Sequence, residues 1–291
     1  MQYGKGFSGC NKRLKPLHIT SNGVVTKIRK ATGIKKVGHT GTLDPDADGV
    51  LPICIGKATK VAGMLTDADK AYRAVIRLGI VTDSQDMTGN VIKSTSPCVT
   101  KEEFANAVNS FVGEISQIPP MFSAIKQNGQ PLYKLARQGI EVERKPRNIR
   151  IFKIDILDFD GEKGVIQVYC SKGTYIRTLC ADIGEKLGCG ACMEALTRIK
   201  SGPFEIENAI PLEKLVENPQ LICENIISPQ SLFDYESVTV NSKYTEKIKN
   251  GNPVPYDNGE EKLYKVFSSR GEFLCISKCE KGMLKMVQSF Y

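Results

Sequence analysis

The stretch Gly38-His39-Thr40-Gly41-Thr42-Leu43-Asp44-Pro45 continues through Asp46-Ala47-Asp48 into Gly49-Val50-Leu51-Pro52-Ile53-Cys54-Ile55-Gly56. It sets one carboxylate, Asp44, in a loop and follows it with an apolar run. Pro45 disfavours the helical region at Asp44 and pushes it towards an extended conformation. Gly41 and Gly49 allow tight turns on either side. A carboxylate held this way can face a cleft and act as a nucleophile. An isolated Asp-Pro also starts ordinary turns, so the loop does not settle the function by itself.

Around this loop the pattern predicts a mixed architecture. Residues 21–32 read as a helix, with Val24, Val25 and Ile28 on one side and Gly33 as its stop. From Tyr72 to Leu78 the sequence alternates, Tyr72, Ala74, Ile76 and Leu78 on one face and Arg73 and Arg77 on the other, as a strand requires. Thr100 and Glu103 make a capping box before a helix carrying Phe104, Ala107, Val108, Phe111 and Val112. Residues 149–159 and 165–170 read as paired strands. After Lys172-Gly173 comes a helix with Ile176, Leu179, Cys180, Ile183 and Leu187 on its stripe, ended by Gly188. The expected fold class is α+β, a mixed, largely antiparallel sheet flanked by helices. The proline-bearing, loosely patterned stretch 203–229 reads as the approach to a boundary. Beyond it, strand-like runs at 238–240, 262–267, 273–277 and 284–288, with turns at Gly251, Gly271 and Gly282, suggest a small β-rich domain. The expected division is residues 1–231 and 232–291.

Composition narrows the function classes. The chain has 291 residues, 41% of them hydrophobic, enough for a real core. No run reaches membrane-span length, and Met1 to Leu14 lacks the apolar segment of a secretory signal. The reading is a cytoplasmic chain without a membrane partner. A net charge of +8 is compatible with an anionic partner but does not demand one. The ten cysteines are scattered, most of them inside apolar patterns. Cys189-Gly190-Ala191-Cys192 has no second pair, and the two histidines, His18 and His39, are distant in sequence, so no metal site is expected. No coiled-coil pattern appears, and a monomer is expected.

Further blocks follow the Asp44 stretch in order. They are Lys70-Ala71-Tyr72-Arg73, Arg77-Leu78-Gly79, Thr82-Asp83-Ser84-Gln85-Asp86, Pro119-Pro120-Met121-Phe122-Ser123-Ala124-Ile125-Lys126, Lys172-Gly173-Thr174-Tyr175-Ile176-Arg177-Thr178-Leu179 and Leu196-Thr197-Arg198-Ile199-Lys200-Ser201-Gly202-Pro203-Phe204. Together they span roughly residues 15–215 and closely resemble the bacterial tRNA pseudouridine-55 synthases, the TruB family. The resemblance implies a pseudouridine synthase fold with a PUA-like RNA-binding domain at its C-terminal end. It implies isomerisation of a uridine in the tRNA T-loop, with the tRNA T-arm as partner, no guide RNA and no cofactor.

The resemblance also distributes roles. Asp44 is the catalytic carboxylate. Arg177 would otherwise be a cation opposing the dipole at a helix N-terminus, and pairing with Asp44 explains it better. Tyr72 would stack on the target uracil, with its hydroxyl near the C5 proton, and Leu196 and Tyr175 would line the same pocket. A uridine inside a folded loop must be flipped out to reach such a pocket, and His39 would fill the vacated space. Lys60, Lys126, Lys134 and Arg137 are candidate phosphate contacts. Two departures stand out. At the N-terminal end Lys15-Pro16 and Thr20-Ser21 are present, but Leu14 replaces an aspartate, His18 replaces a glycine, and the polar residues before them do not support the expected opening strand. Asp48 stands where a small hydroxyl residue is expected, and its charge should raise the pKa of Asp44, so that Asp48→Thr would move the pH–rate profile to lower pH.

Overall fold

The computed structural model of the chain describes residues 8–257 and 259–291. The reading of the first seven residues as part of the N-terminal domain, and as no secretory signal, lies outside the described residues. The main sheet runs Ile210–Pro211, Gly9–Lys15, Asp48–Ile55, Ala191–Ser201, Lys70–Leu78, Lys163–Cys170, Arg147–Phe159 and Gly113–Gln117. Val37–His39 pairs with Asp48–Ile55, and Phe204–Glu205 with Ala191–Ser201. Two pairings are parallel, Gly9–Lys15 with Ile210–Pro211 and Asp48–Ile55 with Ala191–Ser201. The others in this sheet are antiparallel. The mixed, largely antiparallel sheet expected from the sequence is therefore present.

The helices form where their caps and stripes place them. Ser21–Thr32 begins with the Thr20 hydroxyl accepting from the Gly23 N–H and ends at Gly33 with φ 72°, a left-handed turn that glycine adopts without a Cβ penalty. Lys101–Asn109 carries the complete Thr100/Glu103 capping box. Ile176–Lys186 buries Ile176, Leu179, Cys180 and Ile183 against the strand face bearing Ala74, Ile76 and Leu196.

The opening strand is a correction. Gly9–Lys15 pairs along its whole length with Asp48–Ile55, although Asn11, Arg13 and Lys15 are polar and fully or almost fully buried. Its apolar positions are too few for the sequence to announce it. Strand pairing on both sides and burial of Cys10 hold it in place. The stretch 203–229, loosely patterned in sequence, is ordered up to the boundary expected near residue 231. Helices Leu212–Glu217 and Gln220–Glu224 bury Leu212, Leu215 and Ile222 with Val24, Ile28, Leu51 and Ile53, so this segment closes a core.

The C-terminal part forms a second sheet, Glu236–Val240, Leu263–Ser268, Phe273–Glu280, Met283–Ser289 and Val254–Pro255. It has its own core of Val238, Val240, Ile248, Val266, Leu274 and Leu284. Helix Ser242–Lys249, capped by Asn241, was not foreseen; only Tyr244 and Ile248 mark its apolar side. Leu232, Ile276 and Phe290 pack with Cys10, Val50, Cys54 and Phe204, joining the two sheets through apolar contact.

Candidate active site

The Asp44 loop is held from three directions. The Ser21 hydroxyl, at the start of a helix, accepts from the Leu43 N–H at 2.9 Å and donates to the Leu43 carbonyl at 3.2 Å. Lys15, fully buried, donates through Nζ to the carbonyls of Pro16 (2.9 Å), Pro45 (3.0 Å) and Ala47 (2.5 Å). The His18 N–H reaches the Pro45 carbonyl at 2.8 Å. His18 has φ 60°, the left-handed region that explains the glycine expected there, and its Nδ1 lies 2.8 Å from the Asp46 carboxylate. Burial pushes the Lys15 ammonium down to about 8, against the opposing pull of Asp48, Asp46 and Asp44.

Facing Asp44, Arg177 is buried, its side chain 6% exposed, and its donors are saturated. Nε lies 3.1 Å from Asp44 Oδ2, and Nη2 donates to Asp44 Oδ1 at 3.3 Å. Nη2 also donates to the Phe122 carbonyl (2.7 Å) and Nη1 to the Ser84 carbonyl (3.2 Å). Nη1 stands 3.4 Å from Asp86 Oδ2. This two-pronged grip orients the Asp44 carboxylate as a single point charge could not. Pairing with Asp44, the expectation for a cation at this helix N-terminus, is what the geometry shows.

Asp86 belongs to this constellation and was not singled out from the sequence, where Asp83-Ser84-Gln85-Asp86 looks like turn chemistry. Its Oδ1 accepts from the Ser84 hydroxyl (2.7 Å) and the Thr88 N–H (3.0 Å), which turns Oδ2 towards Arg177. The pKa of Asp44 is raised, chiefly by burial. Arg177 and Lys15 draw it down, and Asp86 and Asp46 push it up. Among the carboxylates, Asp86 and Asp46 push hardest on Asp44, and the charge of Asp48 acts on Lys15. The expected repulsion comes from Asp86, because Asp48 lies in the strand beyond the turn while Asp86 shares the Arg177 guanidinium. Asp86→Asn should therefore lower the pKa of Asp44 and carry the acid limb of the single-turnover pH–rate profile to lower pH. An acid limb that stays in place would exclude this coupling.

Tyr72 is half-buried on the apolar face of the central strand and packs on the cluster containing Leu43, Ala47, Ile176 and Leu196. Its cross-strand partner is Arg198. Arg198 is almost fully buried and donates through Nε to the Val50 carbonyl (2.8 Å) and through Nη2 to the Gly41 carbonyl (3.2 Å). Gly49, with φ 108°, lies against the Arg198 backbone so closely that a Cβ there would overlap the Arg198 amide and carbonyl. The sequence signal for Arg198 was a charge at a face position shared with Leu196.

Tyr175 precedes the Arg177 helix, its N–H donating to Gln117 Oε1 at 3.1 Å, and burial raises its pKa. His39 is half-buried beside the loop; its Nδ1 accepts from the Gly41 N–H at 3.3 Å, and burial with the Arg198 charge lowers its pKa. The structure thus gathers Asp44, Arg177, Tyr72, Leu196, Tyr175 and His39 around the loop and the adjoining sheet face. Lys60 and Lys126 are exposed. Lys60 donates to the Ser289 hydroxyl at 3.0 Å in the C-terminal sheet, and Lys126 lies in the short hairpin with Gln130–Pro131. Lys134 and Arg137 are exposed on and just after the short helix Leu132–Ala136.

Residues 29–176 match the TruB family pseudouridylate synthase N-terminal domain, and residues 177–232 match the tRNA pseudouridylate synthase B C-terminal domain. The tRNA pseudouridine synthase B of Clostridium perfringens (strain SM101 / Type A) is 48% identical over 278 residues, covering 92% of this chain and 94% of that protein. The chain belongs to the TruB family. The tRNA pseudouridine synthase B of Alkaliphilus oremlandii (strain OhILAs) is 48% identical over 256 residues, 87% of this chain and 84% of that protein. The solved structure "Crystal Structure of a Cbf5-Nop10-Gar1 Complex" superposes with a TM-score of 0.74 at 26% identity, covering 97% of this chain and 84% of that one. The TruB-family chain thus has the α+β pseudouridine synthase fold with a small β-rich, PUA-like C-terminal domain. The two matched regions meet between Ile176 and Arg177, inside one continuous helix.

Proposed function

We propose that this TruB-family chain is a tRNA pseudouridine synthase that isomerises the T-loop uridine at position 55, with Asp44 as the catalytic carboxylate. The observation that carries the reading is the Asp44–Arg177 fork, next to the apolar cluster that holds Leu43, Tyr72 and Leu196. The relatives named tRNA pseudouridine synthase B and the order of the sequence blocks support tRNA as substrate.

The reaction breaks the N1–C1′ bond, turns the base and joins C5 to C1′. Asp44 attacks or stabilises the reacting centre, and Arg177 keeps it aimed. The C5–H bond then breaks: its electron pair becomes the C5=C6 bond, its proton passes to the Tyr72 oxygen as the hydroxyl's own proton leaves to solvent, and N1 takes a proton from solvent. Substrate and product are isomers, so no electron or energy donor enters. Flipping the uridine out of its loop precedes these steps, with His39 filling the gap and Tyr175 and Leu196 lining the pocket. Lys60, Lys126, Lys134 and Arg137 serve the phosphates from the periphery. We assign residues 1–231 to catalysis and 232–291 to RNA binding, in a monomeric cytoplasmic enzyme that needs neither a guide RNA nor a cofactor.

Tritium release from tRNA labelled at uridine C5 tests the reading, using the purified chain without any other RNA. Wild type is expected to release tritium, and a tRNA with cytidine at position 55 is expected to abolish release. Asp44→Asn should cut the rate by at least about 10³-fold, the scale of losing a catalytic nucleophile, with tRNA binding kept. Binding without release by wild type would make the chain an RNA-binding relative without the chemistry.

A further inference from the structure

We infer that Arg198 is a positioning residue for the proton-removal step, coupling the Tyr72 hydroxyl to the same loop that carries Asp44. The inference deepens the proposed synthase reading and rests on it.

Arg198 and Tyr72 are direct partners across adjacent antiparallel strands, and the Arg198 charge draws the Tyr72 pKa down. Two donors of the same guanidinium hold Gly41 and Val50, the two ends of the turn containing Asp44. The Arg198 backbone is pressed against Gly49 and registered beside it in the parallel pair. One rigid buried group therefore fixes the distance between the carboxylate loop and the tyrosine. A lysine, with three donors on one point, could not span both carbonyls and still face the phenol.

The chemistry requires such a group. A tyrosine oxygen removes a carbon-bound proton well only with phenolate character, and burial opposes that charge. Burial raises the Tyr72 pKa, and Arg198 is the first cation that offsets it. Arg177 is already saturated by Asp44, Asp86 and two carbonyls, so it cannot take this part.

The substrate offers a clean separation of steps. In 5-fluorouridine C5 carries fluorine, so the base can detach, turn and rejoin, but no C5 proton is removed. Arg198→Lys should slow single-turnover conversion of uridine tRNA about 100-fold, the lower range for general base catalysis. Consumption of 5-fluorouridine in the same tRNA, followed by nucleoside chromatography, should fall only a few-fold. In a Tyr72→Phe background, Arg198→Lys should cost less than about threefold on uridine, since the two act as a unit. Equal slowing of both substrates, or additive losses in the double variant, would overturn the inference and leave Arg198 as a scaffold residue. Should Arg198→Lys lower the melting temperature, all four proteins are compared where each stays folded, with Arg198→Gln as a second variant. The synthase reading is scored separately, by wild-type turnover of uridine tRNA.

Discussion

Arg177→Met is expected to abolish turnover and to unfold the protein at a temperature roughly 10 °C lower, through a loss of about 3 kcal/mol. The catalytic part follows from the fork: without the guanidinium nothing aims Asp44, and misorientation of a reacting group by about 1 Å alone costs on the order of 100-fold. The stability part follows from what remains. Asp44 and Asp86 share Arg177, and its removal leaves two neighbouring carboxylates without their common cation. Breaking a buried pair of this kind costs about 3–5 kcal/mol; the lower end applies because the Asp44 side chain is 39% exposed and solvent takes up part of the charge.

The loss carries a pH signature. The folded-state pKa of Asp44 already lies above its ordinary value, and the variant would raise it further by removing its largest lowering influence. A carboxylate with a raised folded pKa binds protons more tightly when folded. Its contribution to stability is therefore present at low pH and lost as pH rises through the folded value. The gap in melting temperature between wild type and Arg177→Met should be widest at neutral pH and narrow as the medium is acidified towards the carboxylate range. A gap that stays constant with pH would mean that the loss is packing, not charge.

Much of this site was legible because its signals are local. Asp44-Pro45 between two glycines, the alternation from Tyr72 to Leu78 and the stripe of the Arg177 helix each depend on residues within a few positions. The groups that were missed act across long separations. Asp86 reaches Arg177 from a loop whose composition reads as a turn, and Arg198 reaches Gly41 over 157 positions. Asp48 opens a strand directly after the turn, and its charge meets Lys15, a partner buried beneath the loop that the spacing of residues does not reveal. The opening strand was illegible for a related reason. Lys15 is buried because three carbonyls need its donors, a demand visible only once the loop is folded over it.

Arg13→Met, the same substitution at another buried arginine of the same sheet, is expected to act in the opposite direction. Arg13 is fully buried in the opening strand, directly opposite Leu51 and beside Ile210. Its side chain shares the face of Leu51, whose cluster includes Val24, Ile28, Leu212 and Leu215. Among the described residues, Nε, Nη1 and Nη2 find no hydrogen-bond partner. Burial lowers the pKa of Arg13, and among the described residues no carboxylate offsets it. A guanidinium in that setting has left water and gained nothing in return. Replacing buried charge by an apolar side chain of similar length stabilises proteins by about 1–4 kcal/mol, and the upper half of that range is expected here because no partner is orphaned by the change. Urea unfolding checks it: the midpoint should rise with the slope unchanged. Tritium release should be retained, since Arg13 is not among the residues that hold the Asp44 loop. A fall in the midpoint would mean that the guanidinium has an acceptor worth more than its desolvation. The sign of each arginine's contribution is thus set by its partners: two carboxylates and two carbonyls make Arg177 indispensable, and their absence makes Arg13 a burden on the same fold.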